Sequence, residues 1–493
     1  MSANDHERWS QIFLQSIEPV SDEVDVALPM IEGQVPKDLS GILYRNGPGR
    51  FRIGVDSYSH PFDGDGMVSR FEIENACVHY KNAYVKTAEL AAEQKAGRML
   101  YRAFGSNKPG GLTKNFLNTK FKNAANTNVV LHGGKLLALW EGGWPHELDP
   151  VTLATRSRFS YSGQLKNVFS YWDNKMNPEL PFSAHPKIDP TTGRMYNFGL
   201  AFGIKNRLLL YEIESDGRMK TIRSLKIPEL SFIHDFVITA NSQALFFCSP
   251  LHFDLFSMIT GLQTPAEAIS GRRESKVRIL MLDLHGPAGE ISWNKVKIFE
   301  MPFSFIMHHI NAFAERDRVH VFSCEMPDFP AAKTAAQALQ TGVVEYPRTR
   351  LVHYILDPNG SKVERKPLPL EGFELPRVSE DLVGLPFEYF YTAGTQKPEQ
   401  FPFMDQIQKV SVDGKTVAEF QFREGLVGEP IVARSLGHAS YVMSLCYNAG
   451  IRKSQLLILD ERDLKLLAQV TLPHSQPIGF HGNWVRRQPV SSA

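Results

Sequence analysis

The chain has little cysteine, almost no net charge and no long apolar run, and each shortage excludes something. Among 493 residues only four are cysteine: Cys77, Cys248, Cys324 and Cys446. No two of them form a CxxC pair, which removes the usual zinc and dithiol signals. They stand in apolar runs such as VFSC and YVMSLC, so buried, reduced thiols and a reducing compartment are expected. Basic and acidic residues number 54 and 53, a formal net charge of +1, so no broad field attracts nucleic acid. No apolar run approaches the roughly 18 residues that a membrane span needs. The opening MSANDHERWS lacks the basic start and apolar stretch of a secretory signal. A cytoplasmic protein, bound at most to a membrane surface, is the expectation. Also missing are GxxxxGK[ST], GxSxG, HExxH and a GxGxxG that opens a helix, so phosphate transfer, serine hydrolysis, zincin proteolysis and dinucleotide redox chemistry lose their signals. DGDGMVSRFEIE (63–74) fails as a calcium loop, because Val68 stands where the turn needs glycine.

What the sequence does have is a repeated pattern of strand, tight turn and strand. HELDPVTLATRS, PKIDPTTGRMYN, VHYILDPNGSKVER, KVSVDGKTVAEF and LLILDERDLKLL all follow it. Aspartate and asparagine cap such turns through their side chains, and glycine supplies positive φ. Hairpins spread over the whole chain predict an all-β protein, and their loose repetition predicts a propeller. Before the first strand, Trp9, Ile12, Phe13 and Ile17 recur at helical spacing, so residues 1–20 are expected to hold an amphipathic helix. An Ala-rich stretch at 326–342 is expected to carry a helix on a loop. No linker divides the chain, and 1–493 reads as one domain.

Sixteen histidines are present. Four sit among apolar or small residues: His185 in FSAHPKID, His234 in FIHDF, His308 (with His309) in FIMHHINAF, and His481 in GFHGNW. They lie far apart in the chain, which rules out a local metal knuckle but suits a propeller, where distant blades each send one inner strand to a common axis. Three glutamates have similar settings: Glu141 in LLALWEGGWP, Glu374 in EGFELPRV and Glu429 in GLVGEPIV. A buried carboxylate needs a partner. The N–H of a metal-bound imidazole is one such partner, and an arginine or a backbone N–H is another. Neighbouring residues of a strand face opposite sides, so only one of His308 and His309 is able to point inward.

With HPFDGDGMV (60–68), LYRNGPG (43–49), EQKAGRMLYRAFGSNKPGG and NAANTN, these stretches make the chain similar to the carotenoid cleavage oxygenase family, especially its apocarotenoid-cleaving members. The likeness runs from residue 41 to 484. It implies a seven-bladed β-propeller with a dome of loops and short helices over the face that bears Fe(II). It implies His185, His234, His308 and His481 as iron ligands, with His308 chosen over His309 for the asparagine, Asn311, three residues on. It implies Glu141, Glu374 and Glu429 as carboxylates orienting His234, His308 and His481 in that order, leaving His185 with none. Thr127 matches a residue that crowds an open iron position. The implied reaction is cleavage of a conjugated C=C bond of an apocarotenoid by O2, at 15,15', giving retinal-type aldehydes. Cleavage of intact carotenoids at 9,10 (9',10') or of stilbenoids is the alternative on the same fold, and a non-enzymatic binding propeller is the rival from another class.

A lipid-soluble substrate further implies an exposed apolar patch rimmed by lysines for docking on a membrane surface. Two stretches fit: Leu112, Phe116, Leu117 and Phe121 among Lys114, Lys120 and Lys122, and Leu255 with Phe256. No protein partner is implied.

Overall fold

A computed structural model describes residues 3–487, apart from 119, 171–173, 176–177, 204, 229, 331–340, 342–345 and 436–438. The helix expected within 326–342 therefore lies largely outside the described residues. Apart from the small hairpin Arg52–Ile53 with Asp56–Ser57, the described strands form seven sheets, antiparallel but for the pairing of Met219–Lys226 with Gly289–Glu290, arranged as the blades of a propeller. The first blade contains Gly41–Arg50, Asp65–Glu74 and Cys77–Tyr84; the second runs from Asn128–His132 to Thr155–Arg158; the third from Lys187–Ile188 to Met219–Lys226. The fourth is built on Gln243–Phe253 and Val277–Asp283, the fifth on Phe305–Glu315 to Lys362–Glu371, the sixth on Phe373–Arg377 to Thr416–Gln421, and the seventh on Ile431–Arg434 to Leu466–Thr471.

The ring is closed twice. Met30–Gly33, from the start of the chain, pairs with Leu466–Thr471 of the seventh blade. Gly482–Arg486, from its end, pairs with Gly41–Arg50 of the first. Between every two neighbouring blades lies an apolar cluster, and alternate residues of one strand serve the two sides. In Met195–Ala201, for example, Met195 packs with Leu137 and Leu139 of the second blade, while Tyr196 packs with Phe246 and Leu280 of the fourth. The period of two of a β-strand explains the division.

The hairpin turns form as their aspartates predict. Asp149 accepts the N–H groups of Val151 and Thr152, Asp189 that of Thr191, Asp357 those of Asn359 and Gly360, and Asp460 that of Arg462. Each side chain thus replaces a backbone acceptor across the turn. Cys248, Cys324 and Cys446 are buried, but Cys77 is exposed, against expectation. It directly follows Asn75 and Ala76, both at positive φ in a hairpin tip where no neighbouring blade covers it.

The helix Ala3–Ser16 buries Trp9 and Ile12 against Phe403, Leu426 and Tyr447. No helix among the described residues is long and apolar enough to cross a membrane. Three further α-helices, Ala88–Ala96, Leu112–Asn115 and Leu255–Thr260, belong to the long connections that form the dome. Arg102, fully buried, ties these connections together by donating to the carbonyls of Asn118, Met258 and Gln263. Gly66 explains part of the HPFDGDGMV motif, since a Cβ there would stand 2.3 Å from the carbonyl oxygen of Ala125. The acids of that motif are already engaged. Asp63 accepts from Gly105 and Ser106, and Asp65 takes Arg50 at 2.7 Å and Lys122 at 2.6 Å.

Lys122 also meets Glu93 at 2.9 Å and the Tyr58 hydroxyl at 3.0 Å, all of them buried. Removing one partner of a buried ion pair leaves an uncompensated charge, at a cost of about 3–5 kcal/mol. Lys122→Met is therefore expected to lower the midpoint of thermal unfolding. Adding Glu93→Gln should recover part of the loss, as read by calorimetry.

Candidate metal centre

Each of four blades delivers one histidine to the axis. His481 immediately precedes the closing strand Gly482–Arg486, and His185 sits just before Lys187–Ile188. His234 lies between Ser231–Phe232 and Val237–Thr239, and His308 lies within Phe305–Glu315, at a point where the pairing register shifts. Their ligand atoms all fall within 4.8 Å of one another, and all four residues are buried. Nε2 of His185 and Nε2 of His234 face each other at 3.0 Å. Nε2 of His308 is buried with no hydrogen-bond partner among the described residues.

The other three blades deliver the glutamates, and these take up the opposite ring nitrogens. His308 Nδ1 stands 2.5 Å from Glu374 Oε2, which also accepts the N–H of Leu375. His481 Nδ1 stands 2.9 Å from Glu429 Oε1, while Glu429 Oε2 accepts from Gly482 and from Arg45. His234 Nδ1 makes an ion-pair contact with Glu141 Oε1. Glu141 differs from the buried carboxylate its apolar setting predicts, because its side chain is 36% exposed. It lies two residues beyond the strand Lys135–Leu139, in the turn before the exposed Gly142, so one side is open.

Electrostatics keep two of the rings neutral. Burial, reinforced by the other histidines, holds His185 well below the ordinary imidazole range. Burial likewise takes His481 down to about 4, against the opposing pull of Glu429. For His308, burial is outweighed by Glu374 and the ring is shifted upward. Glu429 is buried, which alone would raise it, yet Arg377, His481 and Arg45 bring it to about 2. With Nδ1 engaged by a carboxylate on three rings, Nε2 is the atom left to face the common centre. Buried imidazoles converging on one point, one of them with an unpartnered Nε2, are a donor set positioned to hold a metal ion.

His309 points away from this centre. Its Nδ1 is 2.7 Å from the Ser323 hydroxyl, and its ring packs on Phe247. Thr127 lies beside His481, whose backbone N–H its carbonyl accepts at 3.2 Å. Three features escape the sequence reading. Asp235, next to His234, is a buried carboxylate 4.0 Å from His185 Nδ1 and paired with Lys187. Arg45 and Arg377 flank Glu429. An apolar wall of Phe305, Met307 and Met326, with Phe232, Phe329 and Tyr346 packed on it, begins at the centre, since Phe232 stacks on His234. An acid between His234 and Phe236, and the run FSFIM before His308, were the available signals.

Residues 17–486 match the family model described as "Retinal pigment epithelial membrane protein". The chain belongs to the carotenoid cleavage oxygenase family. It is 32% identical over 491 residues to the apocarotenoid-15,15'-oxygenase of Synechocystis, covering 97% of this chain and 96% of that one. It is 26% identical over 510 residues to resveratrol cleavage oxygenase 1 of Aspergillus fumigatus, covering 97% and 95%. Among solved structures it resembles cobalt-substituted Synechocystis apocarotenoid oxygenase, with a TM-score of 0.89 and 31% identity over 97% of this chain and 99% of the other. Family membership makes the chain an oxygenase.

The geometry separates the two adjacent histidines experimentally. His308→Ala should abolish metal uptake, measured by elemental analysis of purified protein. His309→Ala should keep the metal and lose thermal stability instead.

Proposed function

We propose that His185, His234, His308 and His481 hold one Fe(II), and that the chain uses O2 to cleave a conjugated C=C bond of an apocarotenoid at 15,15', releasing retinal-type aldehydes. The observation that carries this reading is the set of four imidazoles aimed at one point with no charged ligand among them. Imidazole suits iron, and nearby carboxylates offset the charge of a dication. Bound ferrous iron supplies the redox chemistry that lets O2 react with an electron-rich double bond. Both oxygen atoms end in the products, as the two new carbonyl groups.

The chain's own residues do the rest. Glu141, Glu374 and Glu429 fix the tautomer and direction of three rings through Nδ1. The wall of Phe232, Phe305, Met307 and Phe329 excludes water and gives a polyene an apolar surface to lie on. Thr127, held beside His481, is assigned the crowding of one open metal position. A polyene offers almost no polar handle, so the shape of this wall selects the bond. The 15,15' position is favoured by the likeness to the Synechocystis enzyme of that name.

The substrate class calls for a membrane surface, and the dome carries a suitable patch. Leu112, Phe116, Leu117, Leu255 and Phe256 are all exposed. The two loops that bear them are joined by the hydrogen bond from Leu117 N–H to the Ile259 carbonyl. Leu117 is held at a φ of 54°, a conformation that costs a leucine about 1–3 kcal/mol. Lys114 and Lys120 are exposed beside the patch. Two expected members are not part of it. Phe121 is half-buried under the Arg102 guanidinium, and Lys122 belongs to the buried ion network. We assign the chain to the cytoplasm, docked peripherally on a bilayer through this patch.

Two experiments test the reading. Protein purified without oxygen should contain one iron per chain and convert β-apo-8'-carotenal in detergent to retinal under O2, in proportion to its iron. Iron without retinal would move the activity to intact carotenoids or stilbenoids; well-folded protein with neither would overturn the proposal. Separately, Leu117→Asp with Phe256→Asp should weaken vesicle binding while sparing turnover of detergent-dispersed substrate, and unchanged vesicle binding would remove the docking role.

A further inference from the structure

The four rings are not supported alike. Among the described residues, Glu141 and Glu374 meet their histidines with no cation on the carboxylate, whereas Glu429 is shared with two arginines. His185 is the exception in kind. The carboxylate behind it is Asp235, whose Oδ1 is 4.0 Å from His185 Nδ1, beyond the roughly 3.2 Å of a hydrogen bond. That same Oδ1 is 2.7 Å from Lys187 Nζ and accepts the N–H of Phe236 at 2.8 Å. Oδ2 accepts the N–H of His309 at 2.9 Å. Asp235 is therefore held by three donors, and His185 is not one of them.

The placement ties the pair to the centre from two blades. Lys187 lies two residues beyond His185 on the third blade, and Asp235 directly follows His234 at the fourth. The Asp235 side chain is 3% exposed and that of Lys187 20% exposed. Their charges are thus poorly screened at the His185 ring, whose Nδ1 is 4.0 Å from the same Asp235 oxygen that Lys187 holds.

We infer that Asp235 and Lys187 are positioning residues that set the strength of the His185 arm: Asp235 holds the ring by its field, and Lys187 keeps that carboxylate from hydrogen-bonding to it. The inference rests on the four-histidine reading above. An imidazole whose N–H reaches a carboxylate is a stronger donor to a metal. His185, denied that contact, would be the weakest of the four donors to a metal held there. The two residues then act with opposite sign. Without Lys187, Asp235 is released toward His185 Nδ1 and one positive charge leaves the neighbourhood of the metal. Without the Asp235 charge, Lys187 faces the centre uncompensated. A pair that only braced the junction of the two blades would act with one sign, since losing either partner would loosen it.

The test is Co(II) binding to the full chain freed of metal, followed through the visible absorption of bound Co(II) and by competition with a chelator. The thermal midpoint of each metal-free variant is read in parallel. Asp235→Asn should bind roughly tenfold to a hundredfold more weakly and shift the absorption band. Lys187→Met should bind several-fold more tightly although it too breaks the ion pair, and Lys187→Arg should stay close to the parent protein. Weaker binding in both Asp235→Asn and Lys187→Met, in step with lost thermal stability, would overturn the inference and leave the centre standing, as would unchanged binding in both. If the parent protein takes up no Co(II), the four-histidine reading falls and takes this inference with it.

Discussion

A sheet that is apolar on both faces must find a neighbour on each side, and only a closed ring gives every blade two neighbours. The architecture follows from that constraint. Seven apolar clusters fill the seven junctions between blades. Strands from the two ends of the chain complete the seventh and first blades and so tie the ring together at the point of closure. Closure also brings the innermost strands together on an axis. Seven side chains, one from each blade, meet there as four histidines and three glutamates.

Gathering these groups would be costly without their mutual pairing. A carboxylate as deeply buried as Glu429 is tolerated because two arginines, a backbone N–H and an imidazole N–H all converge on it. The histidines, in turn, are kept neutral where burial dominates and are directed by the carboxylates where it does not. The centre is thus a set of mutually paired groups with four buried histidines positioned to hold a metal ion. Strands of the fourth and fifth blades add the apolar wall against one side of this set.

Much of this was legible in the sequence because the relevant signals are local. The turns were readable from aspartates that bond to the backbone two residues on, and the helix Ala3–Ser16 from the spacing of Trp9, Ile12 and Phe13. The inward direction of His308 followed from strand alternation together with the family pattern. What escaped depends on distant contacts. Nothing near Lys122 in the chain reveals that it is buried on Glu93 and Asp65 and not part of a surface rim. Phe121 looks like its exposed neighbours until Arg102 is seen over it. Asp235 and Lys187 each read as an ordinary charge beside a histidine, and only the meeting of the third and fourth blades makes them one pair. Glu141 erred the other way, since its apolar flanks are real but the turn that holds it is open on one side.

The order of the histidines along the chain has a consequence for biosynthesis. Three of the four belong to the third, fourth and fifth blades, whereas His481 arrives with the strand that closes the ring. A polypeptide emerging from the ribosome folds from its N-terminal side, so it presents three imidazoles long before the fourth. The complete cage exists only after the last blade has locked onto the first. The four rings positioned to hold a metal ion stand together only then, and a truncated product lacks the fourth.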